Sequence, residues 1–390
     1  MIKISTRFSE AFLARYYDFI AEDIILTKLP MLVATYPQSE GFVNYICQNF
    51  RKLITSEFDI LIDLQHEINR IFPLISESYN PSAYYSECNL QPYICIEQIS
   101  NIHLNSRNAS RQILDLKPEA SSELESFSET YNSHYTRLLR DDMLATQNAR
   151  EIKKICIDFK RNIQDKKTAY DNMPEWIGKL SDIFSYDNIP PYILTELATD
   201  IALDYCPMCN ESKVGNIIDE DRTYRPALDH FLPKSKYPHF SLSIYNLIPT
   251  CHTCNSTFKR DKETFIPMHA NPYIIGADNH DLFDFNDLIE YVLYNYSSGL
   301  RVKLKTTTPE IDNNMKLFKI RGVYNKKSTK SDILLLAQQF KNYNSHWKNS
   351  MTYEVFLELI IGYNPEKSLF EICHGKLKKD IIKFFEDFRW

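Results

Sequence analysis

Two Cys-x-x-Cys pairs, Cys206/Cys209 and Cys251/Cys254, constrain this sequence more than any other feature. Each pair places two sulfur ligands on one tight turn, and four thiolates can close a tetrahedral site with metal–sulfur distances of about 2.3 Å. Thiolate-only tetrahedral sites favour zinc or iron–sulfur over magnesium. The spacing therefore predicts a structural Zn²⁺ site, and the intervening chain must fold so that the two pairs meet.

The interval between the two pairs is longer than the usual zinc-ribbon spacing, which indicates a folded element inside it. Residues 225–230 have the pattern of a short strand that ends in two polar groups, and Pro233 stops that strand. Residues 246–249 are typical of a return strand, and residues 254–262 can form a helix. The predicted order is strand, loop, strand, helix, with zinc holding the two ends together.

Polar residues stand at particular places in this pattern. The Asp229-His230 dipeptide precedes Asn246, and Asn255 directly follows the last cysteine. The pattern resembles the HNH (ββα-metal) endonucleases of the four-cysteine type, whose consensus runs Cys-x-x-Cys, Asp-His, Asn, Cys-x-x-Cys-Asn/His, Lys. The resemblance covers roughly residues 206–273, which is under a fifth of the chain.

The resemblance implies a role for each matching residue. His230 would be the general base, Asp229 a ligand of the catalytic metal, and Asn246 the central asparagine that orients His230. Asn255 would be the second protein ligand, in a position that is often histidine, so this chain would be an HNN variant. Lys259 would be the trailing basic residue, one position later than in the tightest form of the motif.

Phosphodiester hydrolysis asks for these residue types independently of the family. The attacking water must lose a proton near neutral pH, and histidine has an unperturbed pKa of about 6.5. A hard cation must stabilise the scissile phosphate, and Mg²⁺ takes only one or two protein oxygens. Asp229 and Asn255 supply that number of ligands, which predicts Mg²⁺ or Mn²⁺ as a catalytic cofactor.

The chain of 390 residues is long enough for two or three domains. Its hydrophobic content of 44% permits large cores. We expect a mainly α protein with a small α+β module. The predicted parts are a helical domain at 1–190, a zinc-stapled ββα-metal nuclease module at 191–275 and an α/β C-terminal region at 276–390.

Apolar spacing predicts helices in most of the first domain. Residues 53–72 carry apolar side chains at three- and four-residue steps, which is typical of one buried helix face. Another helical run should end before Pro118. The segments 76–92 and 117–126 have loop-like compositions.

The C-terminal region predicts a hairpin followed by helices. Residues 291–305 alternate around Ser298-Gly299, which is a hairpin signal. Three helices should follow, over 331–347, 353–361 and 367–388.

A basic stretch is the best candidate for contact with phosphates, although simple solvation is the alternative. Residues 301–330 contain nine basic and two acidic side chains. The formal net charge of the chain is −6. If it binds nucleic acid, either its basic residues are clustered or a partner supplies part of the affinity. The candidate nucleic-acid contacts are Lys234, Lys259, Arg301, Lys303, Lys319 and Arg321.

The sequence predicts a cytoplasmic protein with no membrane association. It contains no run of 18 apolar residues, and its first residues lack the apolar core of a signal peptide. Cysteines should then be reduced. Those outside the metal set are expected to be small buried apolar residues; they are Cys47, Cys88, Cys95, Cys156 and Cys373.

Three functions remain open at this point. The first is a metal-dependent HNH endonuclease that cuts DNA and leaves 3′-hydroxyl and 5′-phosphate ends, as the family does. The second uses the same centre on RNA, for example tRNA, and the third is a zinc-organised scaffold without catalysis. HNH modules within longer chains also resemble the PtuB-like effectors of Septu and retron-associated anti-phage systems, which act beside an ATPase. That resemblance implies a defence role and an ATPase partner.

Overall fold

The fold is mainly helical, with 63% of residues in helices and 4% in strands in a computed structural model. The described residues are 1–5, 7–86, 88–89, 93–164, 174–218, 223–294 and 300–387. Within them, no helix is both long and apolar enough to cross a membrane. The expected combination of many helices with a small strand-containing module is confirmed.

The chain forms two compact units. One consists of Phe19–Tyr186 and Leu232–Ser243, and we call it the helical unit. The other consists of Met1–Asp18, Asp187–Phe231 and Ile244–Trp390, and we call it the cysteine unit. The boundaries that we predicted for three sequential domains stay a prediction. The loop between the two strands of the predicted nuclease module groups with the helical unit.

The helical unit is built from short and medium helices around an aromatic core. Phe127 stands at its centre, with ring contacts to Tyr93 at 5.3 Å and to Phe159 at 5.1 Å. After α1 (Glu10–Asp23), the helices are α2 (Leu29–Thr35), α3 (Glu40–Thr55), α4 (Phe58–Ile71), α5 (Pro73–Tyr79), α6 (Pro81–Tyr84), α7 (Ile94–Asn101), α8 (Ala109–Thr130), α9 (His134–Ala145), α10 (Ala149–Phe159) and α11 (Glu175–Ile183).

Two predicted loops of this unit are helical instead. Helix α8 continues through Pro118, because Leu124 and Phe127 extend the buried face that begins at Ile113. Their burial outweighs the cost of about 3 kcal/mol for proline inside a helix. In the segment 76–92, most described residues belong to α5 and α6, where a proline occupies the first helical position and its missing N–H costs nothing.

Side chains tie the segment Leu232–Ser243 into the helical unit. His239 Nε2 lies 2.8 Å from the Gln65 side-chain oxygen, and Asn80 donates a hydrogen bond of 2.8 Å to the hydroxyl of Tyr237. His239 is 1% exposed. Buried polar groups need partners, so these bonds fix the segment to α4 and the end of α5.

The cysteine unit contains three two-stranded sheets among the described residues. Its strands are β1 (Ile217–Ile218), β2 (Thr223–Tyr224), β3 (Ala227–His230), β4 (Leu247–Thr250), β5 (Phe283–Asp284) and β6 (Lys303–Leu304). Its helices are α12 (Pro191–Ile201), α13 (Asn286–Tyr294), α14 (Pro309–Leu317), α15 (Ile320–Val323), α16 (Lys327–Asn342), α17 (Tyr353–Val355) and α18 (Gly375–Asp387). A π-helical segment at Thr253–Lys259 follows β4.

The hairpin predicted at 291–305 is wrong. Tyr291 to Tyr294 end α13, and β6 pairs with β5 instead of with the preceding residues. The Lys305 amide donates to the Leu282 carbonyl at 3.0 Å, which extends this pairing, and the buried ring of Phe283 packs 4.7 Å from the ring of Tyr324. The proposed turn at Ser298-Gly299 lies outside the described residues.

The C-terminal helices follow the prediction with two shifts, the first of which is that α16 begins at Lys327 rather than at 331. Helix α16 continues as a π-helical turn to Trp347, and the segment 353–361 is helical and stops at Gly362, which has a positive φ of 65°. The last helix begins at Gly375 rather than at 367, because the residues before it form turns that end at His374 in the left-handed region. Its predicted last residue, 388, lies outside the described residues.

Candidate metal centre and neighbouring polar site

Four buried thiols form the predicted metal cluster. The Sγ atoms of Cys206, Cys209, Cys251 and Cys254 all lie within 4.8 Å of one another. A tetrahedron with zinc–sulfur distances of 2.3 Å has sulfur–sulfur distances of about 3.8 Å, and Cys209 Sγ lies 3.9 Å from Cys251 Sγ. The cluster can therefore hold a metal ion such as zinc.

Local backbone geometry brings each pair into position. The turn after Cys206 closes through a hydrogen bond of 2.7 Å from the Asn210 amide to the Cys206 carbonyl. Asn210 adopts a positive φ of 53°. Cys251 comes directly after β4, and Cys254 lies on the π-helical segment, where the Asn255 amide donates to the Cys251 carbonyl at 3.0 Å. Strand, turn and helix thus converge on one point.

The thiols need a cation to be ionised together. Burial raises the pKa of Cys206 well above its ordinary value, because the charged form loses its solvation. Four thiolates in one buried cluster would also repel one another. A divalent ion would remove both penalties, so the donor set fits a metal ion such as zinc.

The two predicted strands pair next to this cluster. Strands β3 and β4 are antiparallel, with Asp229 opposite Ile248 and His230 opposite Leu247. The Phe231 amide donates a hydrogen bond of 2.9 Å to the Asn246 carbonyl. The end of β3 and the start of β4 are thus fixed to each other, and His230 and Asn246 are both buried at this end.

Lys259 reaches back to β3 from the π-helical segment. Its Nζ donates to Asp229 Oδ1 at 3.0 Å and also to the backbone carbonyl of His230. Lys259 is 0% exposed and Asp229 is 3% exposed. The structure therefore places Lys259 in the interior as the counter-charge of Asp229, and not on the surface where a phosphate contact was predicted.

The second oxygen of Asp229 has no hydrogen-bond partner among the described residues. Asp229 Oδ2 is buried, and a buried polar atom without a partner costs about 1–3 kcal/mol. Burial raises the pKa of Asp229, and the Lys259 ammonium offsets part of that rise. An unpartnered, buried carboxylate oxygen is the kind of atom that a divalent cation binds.

The other predicted ligand of a catalytic metal is Asn255. It lies one turn before Lys259 on the same π-helical segment and is half-buried. The helix therefore presents Asn255 and Lys259 from neighbouring turns, and Lys259 contacts the strand that carries Asp229 and His230. The assignment of Asp229 and Asn255 to Mg²⁺ or Mn²⁺ stays a prediction.

The remaining predicted nucleic-acid contacts differ in their surroundings. Lys234 is exposed in the helical unit, with Nζ 5.9 Å from the centre of the Tyr186 ring. Lys303 is exposed but forms an ion pair of 2.8 Å with Asp287. Arg301, Lys319 and Arg321 are exposed in the cysteine unit and line a common cleft.

The chain is similar to Protein ea31 of Escherichia phage lambda. The two sequences are 32% identical over 96 residues. The match covers 24% of this chain and 27% of that protein, so this chain spans about a quarter of the length of the curated relative that it matches. No family model matches the chain, and no solved structure matches it.

Two residues that hydrogen-bond to the ends of β3 and β4 were not predicted from the sequence. Thr264 Oγ1 donates to the Phe231 carbonyl at 2.6 Å, and the hydroxyl of Tyr273 donates to the Leu247 carbonyl at 2.9 Å. These bonds clamp the ends of β3 and β4 from the segment that leaves the motif. Pro267 and Pro272 favour an extended chain in that segment but do not identify its hydrogen-bond partners.

The five cysteines outside the cluster also depart in part from expectation. Cys156 is buried as predicted, whereas Cys88, Cys95 and Cys373 are half-buried and Cys47 is exposed. All are free thiols. Cys47 lies on α3, where its neighbour Ile46 occupies the buried face.

Proposed function

We propose that this chain is a metal-dependent endonuclease of the HNH type that hydrolyses phosphodiester bonds in DNA. The observation that carries the proposal is the buried Oδ2 of Asp229, which has no hydrogen-bond partner among the described residues. Asp229 is next to His230 on β3, in the unit that contains the four-cysteine cluster. A zinc staple alone requires neither the carboxylate nor the histidine. The printed name of the phage relative states no activity, and the proposal does not depend on it.

The residues divide the reaction between them. His230 accepts the proton of the attacking water, whose oxygen forms a new bond to phosphorus while the bond to the 3′-oxygen breaks. Mg²⁺ or Mn²⁺, when bound by Asp229 and Asn255, supplies a positive charge for the phosphate and the leaving oxygen. The products are a 5′-phosphate and, after protonation, a 3′-hydroxyl.

Asn246 and Lys259 position the two reacting residues. Asn246 is fully buried, and its carbonyl accepts the Phe231 amide, so it fixes the chain immediately after His230. Lys259 holds Asp229 Oδ1 and the His230 carbonyl from one ammonium group. Pre-organisation of this kind lowers the cost of bringing the base and the metal ligand to one phosphate.

Plasmid DNA and a structured RNA, each incubated with purified protein and Mg²⁺ or Mn²⁺, test the proposal. We expect DNA cleavage that EDTA stops and that His230→Ala abolishes while the zinc content stays at one per chain. His252→Ala is the matched control. His252 is an exposed histidine directly before the π-helical segment, and its replacement should leave cleavage unchanged. Cleavage of RNA alone would show that the substrate is RNA instead of DNA. Wild-type activity in His230→Ala would refute the assignment of His230 as the general base.

We further propose that the nuclease acts as an effector of a bacterial anti-phage system beside an ATPase subunit. The formal net charge of −6 supports this proposal, since an acidic nuclease gains from a partner that holds it on nucleic acid. Co-purification with an ATPase encoded beside it, and cleavage stimulated by that subunit, are the expected results. Full activity of the isolated chain would count against a partner.

A further inference from the structure

A cleft of about 720 Å³ lies in the cysteine unit, and β6 with the segment after it, helix α14 and helix α15 all contribute to its walls. Six cationic side chains from consecutive elements of the chain line it, and Asp312 is the one acidic residue among the described residues of its lining. The cations are Arg301, Lys305, Lys316, Lys319, Arg321 and Lys330.

None of the six cations forms an ion pair within the part of the chain that the structure describes. Neighbouring lysines behave differently, since Lys303 pairs with Asp287 and Lys326 pairs with Glu211. Asp312 is engaged by the amide and the hydroxyl of Thr307, both at 2.9 Å from Oδ1. The described lining therefore has six cations against one carboxylate, and Asp281 also interacts electrostatically with Lys305, so positive charge is in clear excess in the cleft.

The backbone turns at Lys319, which lies between α14 and α15. Lys319 adopts a positive φ of 53°, which costs a residue other than glycine roughly 1–2 kcal/mol. Glycine or asparagine would occupy this position at less cost, yet the chain keeps a lysine there, exposed and at the cleft. A left-handed residue commonly ends a helix, so the turn after α14 is what brings Lys319 to the cleft.

Hydrogen bonds hold the cleft in a fixed position relative to the cysteine cluster. Tyr324 directly follows α15, and its hydroxyl donates a hydrogen bond to the Cys209 carbonyl at 2.7 Å. On the opposite wall, Asn314 of α14 donates to the Ala270 carbonyl at 2.6 Å, and Asn313 donates to the Met268 carbonyl at 3.0 Å. Both walls are thus attached to the segments that begin and end the motif.

We propose that this cleft binds the phosphate backbone of the nucleic-acid substrate, as a site separate from the one at Asp229 and His230. One phosphate is satisfied by two or three donors, so six cations that form no ion pair among the described residues suit several successive phosphates. The cleft then holds the backbone while a phosphate further along occupies the reacting centre. The link between the cleft and cleavage rests on the proposed function, whereas the binding test of the cleft is independent of that function.

Equilibrium binding of a fluorescent duplex of about 30 base pairs by the full chain tests the cleft directly. The background is His230→Ala, without added divalent cation, so that no cleavage occurs. Replacing Lys316, Lys319 and Arg321 together by glutamine should weaken binding. It should also reduce the slope of log affinity against log salt by about 0.9 for each phosphate that the variant no longer neutralises.

A matched triple variant controls for net charge. Lys326 and Lys383 are exposed lysines of the same unit that pair with Glu211 and Asp281, and Lys367 is an exposed lysine outside the lining of the cleft. Replacing all three by glutamine changes the net charge equally and should change the salt slope by less than the equivalent of about one phosphate. Equally weakened binding in the two triple variants, or unchanged binding in the cleft variant, would overturn the proposal.

Two further arms separate the alternatives. In the first, ATP or inorganic pyrophosphate is added as a competitor of the duplex. If the nucleotide binds more tightly than the duplex and displaces it, the cleft is a nucleotide site, contrary to the proposal. Bis(p-nitrophenyl) phosphate, a small diester without a backbone, should be hydrolysed equally by the wild type and the cleft variant but not by His230→Ala. If no protein hydrolyses it or plasmid DNA, the nuclease proposal fails while duplex binding still decides the cleft.

Discussion

Lys259 Nζ lies 3.0 Å from Asp229 Oδ1, and both side chains are buried. Breaking a buried ion pair by removing one partner costs about 3–5 kcal/mol, because the remaining charge loses solvent and counter-charge together. We expect Lys259→Met to reduce the stability of the cysteine unit by this amount, measured by urea unfolding followed by circular dichroism.

The double variant with Asp229→Asn is the control for this pair. It removes the stranded charge and should be more stable than Lys259→Met alone. Saturating Mg²⁺ should also restore part of the stability of Lys259→Met, since a cation bound at Asp229 would replace the ammonium. If Lys259→Met unfolds like the wild type, the pair contributes nothing to stability.

Loss of one cluster thiol should disrupt the metal site. A structural zinc contributes on the order of 10–16 kcal/mol of apparent binding free energy, which is comparable to the stability of a whole domain. We expect Cys254→Ser to lose zinc and to unfold the chain around the cluster, whereas Cys47→Ser keeps one zinc per chain because Cys47 is exposed on α3. Elemental analysis and limited proteolysis measure both effects. A wild-type protein with much less than one zinc would contradict the site.

Glu77 should give the helical unit a pH-dependent stability. Burial raises the pKa of Glu77 to about 7 from its ordinary value of 4.5, and its carboxylate accepts hydrogen bonds from the Tyr85 hydroxyl and the Tyr135 amide. Between these two pH values the folded state keeps a proton that the unfolded state releases. Stability should therefore fall by about 3 kcal/mol as the pH rises through this window.

Glu77→Gln tests the pH effect, because the amide cannot ionise. Its oxygen can accept from the Tyr135 amide, while its NH₂ group faces Tyr85, whose hydroxyl can then donate to Ser133 at 2.9 Å. We expect the variant to be more stable than the wild type at pH 8 and less dependent on pH, measured by thermal unfolding between pH 4.5 and 8. Parallel pH profiles for the two proteins would exclude Glu77 as the titrating group.

Asn210 should support the first cysteine pair through both its backbone and its side chain. Its side-chain amide donates to the Leu369 carbonyl and accepts from the Lys376 amide, each at 2.9 Å, and its φ is 53°. Asn210→Ala loses these bonds and retains the strain, so we expect a loss of roughly 3 kcal/mol. Asn210→Gly should lose about 1 kcal/mol less, because glycine adopts positive φ freely. Equal losses in urea unfolding would show that the backbone conformation costs nothing there.

The local order of the module followed from the sequence alone. Two cysteine spacings predicted the buried cluster, and short apolar runs predicted the strands that became β3 and β4. The helix after Cys254 and the stop at Gly362 were also correct. These features depend on residues within a few positions of one another, so their chemistry and periodicity are visible in the chain.

Tertiary contacts decided what the sequence could not. Strand β6 pairs with β5, burial of Leu124 and Phe127 accompanies a helix through Pro118, and Lys259 turns inward to Asp229. Each outcome depends on a partner that is distant in the chain or on a buried face shared with other helices. The sequence shows that a side chain is apolar or charged. Only the folded chain determines which group packs against the apolar side chain or neutralises the charge.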